Sequence, residues 1–223
     1  MIKENLERIK ATLPEGVTLV AVSKTKPASD VQEAYDAGHR NFGENYALEM
    51  RDKHKILPAD IHWHYIGHLQ TNKIKYIIPF VSLIESIDSL ELLEAINKEA
   101  KKHDRVVDCL LQFHIAHELT KFGLDLEEAR QLLDSEAFKQ MDHVRICGVM
   151  GMASLTDDKD EVRKEFKQLK SIFDTLREEY FASHPEFKEI SMGMSHDYPI
   201  AIEEGATMVR IGSLIFGPRV YKS

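Results

Sequence analysis

Short apolar runs of strand length alternate with amphipathic stretches of helical period almost from end to end of this chain, and that alternation leaves few folds open. The strand-like runs fall at 17–24, 40–44, 62–67, 82–87, 106–115, 144–151, 189–194 and 208–213. Helical periodicity occupies 28–37, 45–55, 71–78, 89–102, 125–134, 158–181 and 197–204. VTLVAVS, RVVDCLLQFHI and VRICGVMGM are nearly continuous in apolar residues, which marks strands covered on both faces, as in a parallel sheet with crossover helices. Local signals agree. Pro27 and Ser29 open the first of these helices and Gly38 closes it, while Ser89 opens a long helix without a capping-box glutamate. The acidic stretch TDDKDEVRK at 156–164 reads as the solvated start of the longest helix. Eight such units in 223 residues predict an α/β fold, a single (β/α)8 TIM barrel forming one domain over 1–223. A doubly wound open sheet shares the pattern, because strand order alone does not show closure.

Composition narrows the partners. A net charge of −8, a pI near 5.8 and no clustered Lys/Arg stripe argue against nucleic acid. Cys109 and Cys147 sit in separate apolar runs without CxxC spacing, as expected for reduced core thiols in a cytoplasmic protein. MIKENLERIK opens an amphipathic helix rather than an apolar signal core, and no apolar run approaches membrane-spanning length.

The chemistry concentrates at three places. VTLVAVSKTKP runs as an apolar strand into Lys24, and a lysine there either reaches for water or has been desolvated into a nucleophile. Lys26 shares its parity, although its place directly before Pro27 assigns it to the loop. In a (β/α)8 barrel, phosphate is held by the loops after strands seven and eight. Here those loops read SMGMSHDYP and TMVRIGSLIFG, pairing Gly193 with Ser195 and Gly212 with Ser213. Ser195 could instead cap the following helix, and Gly212 with Ser213 could simply turn the chain. Arg210 stands inside the last apolar strand and needs an acceptor, either a strand carboxylate such as Glu44 or Glu85 or the ring nitrogen of a ligand. An aldehyde, a phosphate and a ring nitrogen would engage all three places, and pyridoxal 5′-phosphate (PLP) carries them together.

AVSKTKP, NFGENY, HYIGHLQTNK, TKFG, GMS and MVRIGSLIFG occur in an order and spacing that resembles the pyridoxal phosphate homeostasis protein family, whose barrel is similar to the N-terminal domain of alanine racemase. The resemblance covers nearly the whole chain. It implies that Lys24 holds PLP as a Schiff base, that Ser195, Gly212 and Ser213 bind its phosphate, that Arg210 faces the pyridine nitrogen and that Asn45 lies beside the ring. It further implies a monomer serving vitamin B6 homeostasis, with PLP-dependent apoenzymes as potential recipients and no catalytic residues. Ser213 stands where many relatives carry threonine, which keeps the hydroxyl.

Carrier is favoured over enzyme on chemical grounds. An arginine beside the pyridine nitrogen does not yield a proton, so the ring stays a weak electron sink, which disfavours general carbanion chemistry and leaves racemisation by two opposed bases. In the alanine racemase family a second base comes from a C-terminal β-domain, and this chain runs only ten residues past Ser213. Two rivals remain: an amino-acid racemase using Tyr46 or His64 as second base, and a metal-dependent hydrolase built on His62 and His64, which share one strand face. Whether Lys121 offers a second docking point for PLP stays open.

Overall fold

The structure is a computed structural model that describes residues 1–118 and 122–220, so Lys121 lies outside the described residues. Its elements follow in the order α1 (Ile2–Lys10), β1 (Thr18–Val22), α2 (Ala28–Asp36), β2 (Asn41–Glu44), α3 (Ala47–Ile56), β3 (His62–Tyr65), a 3-10 helix (Thr71–Tyr76), β4 (Leu83–Ile87), α4 (Leu90–Lys102), β5 (Val107–His114), α5 (Leu126–Asp134), α6 (Glu136–Lys139), β6 (Val144–Met152), α7 (Lys159–Tyr180), β7 (Glu189–Ser191), α8 (Tyr198–Glu203), β8 (Met208–Ile211) and α9 (Ser213–Phe216). The strands pair in chain order into a closed barrel. Closure decides against the open sheet: β1 lies parallel to β8 in a register running from Thr18 opposite Met208 to Ala21 opposite Ile211.

Two apolar clusters account for the strand sequences. Outward residues such as Phe42, Trp63, Ile84 and Val149 pack beneath helix residues such as Leu6, Met50, Ile96 and Phe166. A smaller set, Val20, Leu83, Leu110, Cys147, Met150 and Met208, fills the barrel interior. Burial on both sides is why these strands lack polar alternation. As expected, Ser89 Oγ accepts from Leu92 N at 3.1 Å, and Asp158 caps α7 through the amides of Asp160 and Glu161.

Several expected strands end early at the C-terminal side, and the reason is local backbone geometry. β1 stops at Val22 because Thr25 turns back with φ +64°, so Lys24 sits in the turn rather than on the strand. β7 stops at Ser191 because Gly193 adopts φ +102°, where a Cβ would stand 2.7 Å from that of Ala201. Gly212 and Ser213 do not continue β8; they open α9. The β7–β8 seam is consequently short, with the single registered pair Ser191–Met208 flanked by bonds from Met192 N to Met208 O and from Arg210 N to Gly193 O. Of the expected helix over 71–78, Thr71–Tyr76 winds as a 3-10 helix and not an α-helix.

Candidate functional site

The C-terminal ends of β1, β7 and β8 surround a cavity of about 220 Å³. Lys24, Asn45, Ser195, Arg210, Gly212 and Ser213 all line it, so the structure brings together all six residues singled out in the sequence. Val22, Ile66, Met152 and Met194 supply apolar wall, and Arg219 contributes a further cation.

Lys24 and Lys26 both reach the cavity but differ in commitment. The Lys26 amine donates to the Pro218 carbonyl at 2.9 Å, whereas the Lys24 amine has no hydrogen-bond partner among the described residues. Burial lowers the Lys24 pKa, and the Arg219 charge adds to that effect against the opposing pull of Glu44. The result is a half-buried amine with a raised neutral fraction.

Ser195 does not cap α8. That position belongs to Asp197, whose Oδ1 accepts from Met194 N at 2.7 Å and braces the loop that presents Ser195. Ser213 stands at the first position of α9, where the amides of an opening helical turn lack intrahelical acceptors. Gly212 permits the close approach to β1, since a Cβ there would lie 3.2 Å from the Val22 carbonyl oxygen. Asn45 is held from behind: a Cβ on Gly67 would stand 2.8 Å from the Asn45 carbonyl oxygen, which also accepts from Tyr65 Oη at 2.8 Å. The Asn45 side-chain Oδ1 is buried without a partner.

Arg210 finds its carboxylate in Glu85 rather than Glu44. Its Nη1 donates to Ser191 Oγ at 2.6 Å and lies 4.0 Å from Glu85 Oε1, while Nη2 donates to the Gly151 carbonyl at 3.1 Å. Ser191 Oγ in turn donates to Glu85 Oε1 at 2.5 Å, and Glu85 Oε2 meets His64 Nδ1 at 2.9 Å. Burial alone would raise the Glu85 pKa, yet His64, Arg210 and Ser191 together hold it below its ordinary value. Burial lowers the Arg210 pKa, with Glu85 and Asp197 opposing.

The candidate second bases lie elsewhere. His64 is occupied by Glu85 and by Asn41 Oδ1 at 3.3 Å, and with His62 it lines a separate cavity at the N-terminal mouth. Tyr46, 57% exposed, borders a neighbouring pocket beside Asn45. The one metal-type grouping among the described residues is His117, Glu161 and Glu165, which does not include His62 or His64.

Sequence reasoning missed a buried ion cluster behind the Lys24 turn: Lys53, Glu44 and Glu49, with Lys53 Nζ 2.5 Å from Glu44 Oε1 and 2.8 Å from Glu49 Oε1. The signal was present, because Ala47, Met50 and Lys53 recur at three-residue spacing on the buried face of α3.

This closed parallel barrel, with a half-buried amine, a buried guanidinium and two serine hydroxyls around its C-terminal cavity, matches the family described as alanine racemase, N-terminal domain, over residues 1–220. The pyridoxal phosphate homeostasis protein of Aquifex aeolicus is 40% identical over 204 residues, covering 91% of this chain and 87% of that protein. The chain belongs to the pyridoxal phosphate homeostasis protein family. PipY of Synechococcus elongatus, solved with PLP bound, superposes with a TM-score of 0.87 at 36% identity over 97% of this chain and all of its own. Alanine racemase of Clostridium difficile shares the fold, with a TM-score of 0.76 at 16% identity over 98% of this chain and 56% of its own. Among the described residues no helix is long and apolar enough to cross a membrane.

Proposed function

We propose that this protein binds PLP in the Lys24 cavity, holds it covalently on the Lys24 amine, and serves PLP homeostasis in the cytoplasm as a monomeric carrier without substrate turnover. The observation that carries the reading is the convergence of Lys24, Asn45, Ser195, Arg210, Gly212 and Ser213 on one cavity built from a single chain. The residues fit the group: an uncommitted half-buried amine, a buried orphan acceptor at Asn45 and a glycine that only a close approach explains. When bound, PLP supplies an aldehyde carbon at which an amine condenses with loss of water, and a phosphate anion.

Ser195 and Ser213 would donate hydroxyls, and the opening amides of α9 would add backbone donors to the same anion. Arg210, locked by Ser191 and Gly151, offers its guanidinium edge and keeps its protons, so a ring nitrogen facing it receives a hydrogen bond and no charge. That weakens the electron sink needed for general carbanion chemistry on amino acids and leaves racemisation, which needs a second base. Neither His64, bonded to Glu85 and Asn41, nor Tyr46 lines the Lys24 cavity, which supports carrier over racemase. PLP-bound PipY and the naming of the Aquifex relative as a homeostasis protein support the same reading. Buried, unpaired Cys109 and Cys147 suit a reducing compartment.

Equilibrium dialysis against PLP, paired with an assay of D- and L-amino-acid interconversion by the loaded protein, tests the reading. Retention of PLP without interconversion is expected. Failure to retain PLP overturns binding, and enzyme-like interconversion overturns the carrier role. PLP-dependent apoenzymes are the proposed recipients.

A further inference from the structure

The turn that presents Lys24 is held from behind by groups that do not line the cavity. Thr25, the next residue, adopts φ +64°, a left-handed conformation that a β-branched side chain resists. Its backbone N–H donates to Glu49 Oε1 at 2.6 Å. The same oxygen accepts from Lys53 Nζ at 2.8 Å, and Lys53 Nζ also donates to the carbonyl of Ser23, the residue before Lys24, at 2.7 Å. The third Lys53 proton goes to Glu44 Oε1 at 2.5 Å, while Glu44 Oε2 accepts from Ser23 Oγ at 3.1 Å. All three ammonium donors of a buried lysine are therefore spent on one side of a single turn. A pair that merely fastened α3 to β2 would have no need of the Ser23 carbonyl or the Thr25 amide. Strained backbone that its surroundings over-determine marks a place where orientation matters.

We propose that Glu49 and Lys53 are positioning residues that clamp the backbone on both sides of Lys24 and so aim its amine into the cavity. This rests on the reading of Lys24 as the condensing amine. The serine hydroxyls and Arg210 come from β7, β8 and the segments that follow them, away from the clamp. The Glu49 charge raises the Lys24 pKa, so its loss favours the neutral amine and any slowing of condensation reports orientation. It follows that loss of the clamp slows condensation while leaving the non-covalent affinity of the cradle intact.

The experiment compares the full-length parent with Glu49→Ala, Lys53→Met and the double variant Glu49→Ala with Thr25→Asn. Two readouts are taken: the rate at which the visible band grows on mixing with PLP, and the affinity for pyridoxine 5′-phosphate, an alcohol that cannot condense. Borohydride reduction with peptide mapping locates the adduct in the parent. Glu49 lies on the partly exposed edge of the cluster, so Glu49→Ala keeps the test alive if Lys53→Met fails to fold. The expected result is that Glu49→Ala condenses roughly fivefold or more slowly, with unchanged pyridoxine phosphate affinity. Asparagine tolerates the left-handed region, so Thr25→Asn should restore much of that rate. A parental rate in Glu49→Ala overturns the clamp, as does an equal loss of rate and affinity or a failure of Thr25→Asn to rescue. An adduct of the parent on another lysine overturns the Lys24 reading itself and the clamp with it.

Discussion

The Lys26 amine donates to the carbonyl oxygen of Pro218 at 2.9 Å, across 192 positions of sequence. That bond ties the loop after β1 to the segment after α9 and removes Lys26 from competition for an aldehyde. Borohydride reduction of the PLP-loaded protein is therefore expected to place the phosphopyridoxyl group on Lys24. Lys24→Ala should lose the visible band and keep its circular dichroism, because the residue stands in a turn outside the packed layers. A modified Lys26 with Lys24 untouched, read by peptide mass mapping, contradicts the assignment.

The Ser195→Ala, Ser213→Ala double variant should retain PLP more weakly by roughly a hundred- to ten-thousand-fold, since each of the two hydrogen bonds to a charged group contributes about 1.5–3 kcal/mol. Thermal unfolding of the ligand-free protein should move little. Parental retention in equilibrium dialysis would show that the hydroxyls do not face the anion.

Reactivity of Lys24 should depend on Arg219. Burial and then the Arg219 charge hold the Lys24 pKa below the ordinary lysine value. Competitive labelling across pH, quantified at Lys24, should reach its plateau early, and Arg219→Gln should move the midpoint upward. An unmoved midpoint would remove Arg219 from the causes and leave burial with the Arg210 charge.

Acid sensitivity should arise at His39. Burial, helped by the Lys10 charge, pushes its pKa down to about 4. The unfolded chain then binds the proton more readily between the ordinary histidine value and about 4, so stability rises with pH through that window and is lost as pH falls through it. The loss at the acid end is on the order of 3 kcal/mol. His39→Gln should flatten this part of the profile in urea unfolding at a series of pH values. A profile that keeps the parental slope points to other groups.

The architecture was legible because burial on both faces leaves a mark that needs no tertiary information: VTLVAVS and VRICGVMGM are apolar on both parities. Lys24 stood out for the same reason, as a charge where such a run ends. What the sequence hid were facts of three-dimensional register. Glu44 and Glu85 look alike along the chain, both flanked by apolar neighbours, yet Arg210 meets Glu85 through Ser191 while Glu44 pairs with Lys53 from α3. Strand ends were overrun at Ser23, Met192 and Gly212 because the turns depend on backbone angles, +64° at Thr25 and +102° at Gly193, that no period encodes. Arg219 follows α9 in a segment without repeat and carried no signal.

The brevity of the β7–β8 contact has a bearing on how the barrel breathes. A ring of eight strands opens first where its pairing is thinnest, and here that place is the seam with Ser191 and Met208 as its single registered pair. Ser195 follows one strand of the seam, Ser213 follows the other, and Lys24 follows the strand beyond. A ligand grasped by all three would act as a rivet across that gap. Its arrival would register less as a change of shape than as slower exchange of the amide hydrogens of Met192, Thr207 and Arg210, which bridge the seam.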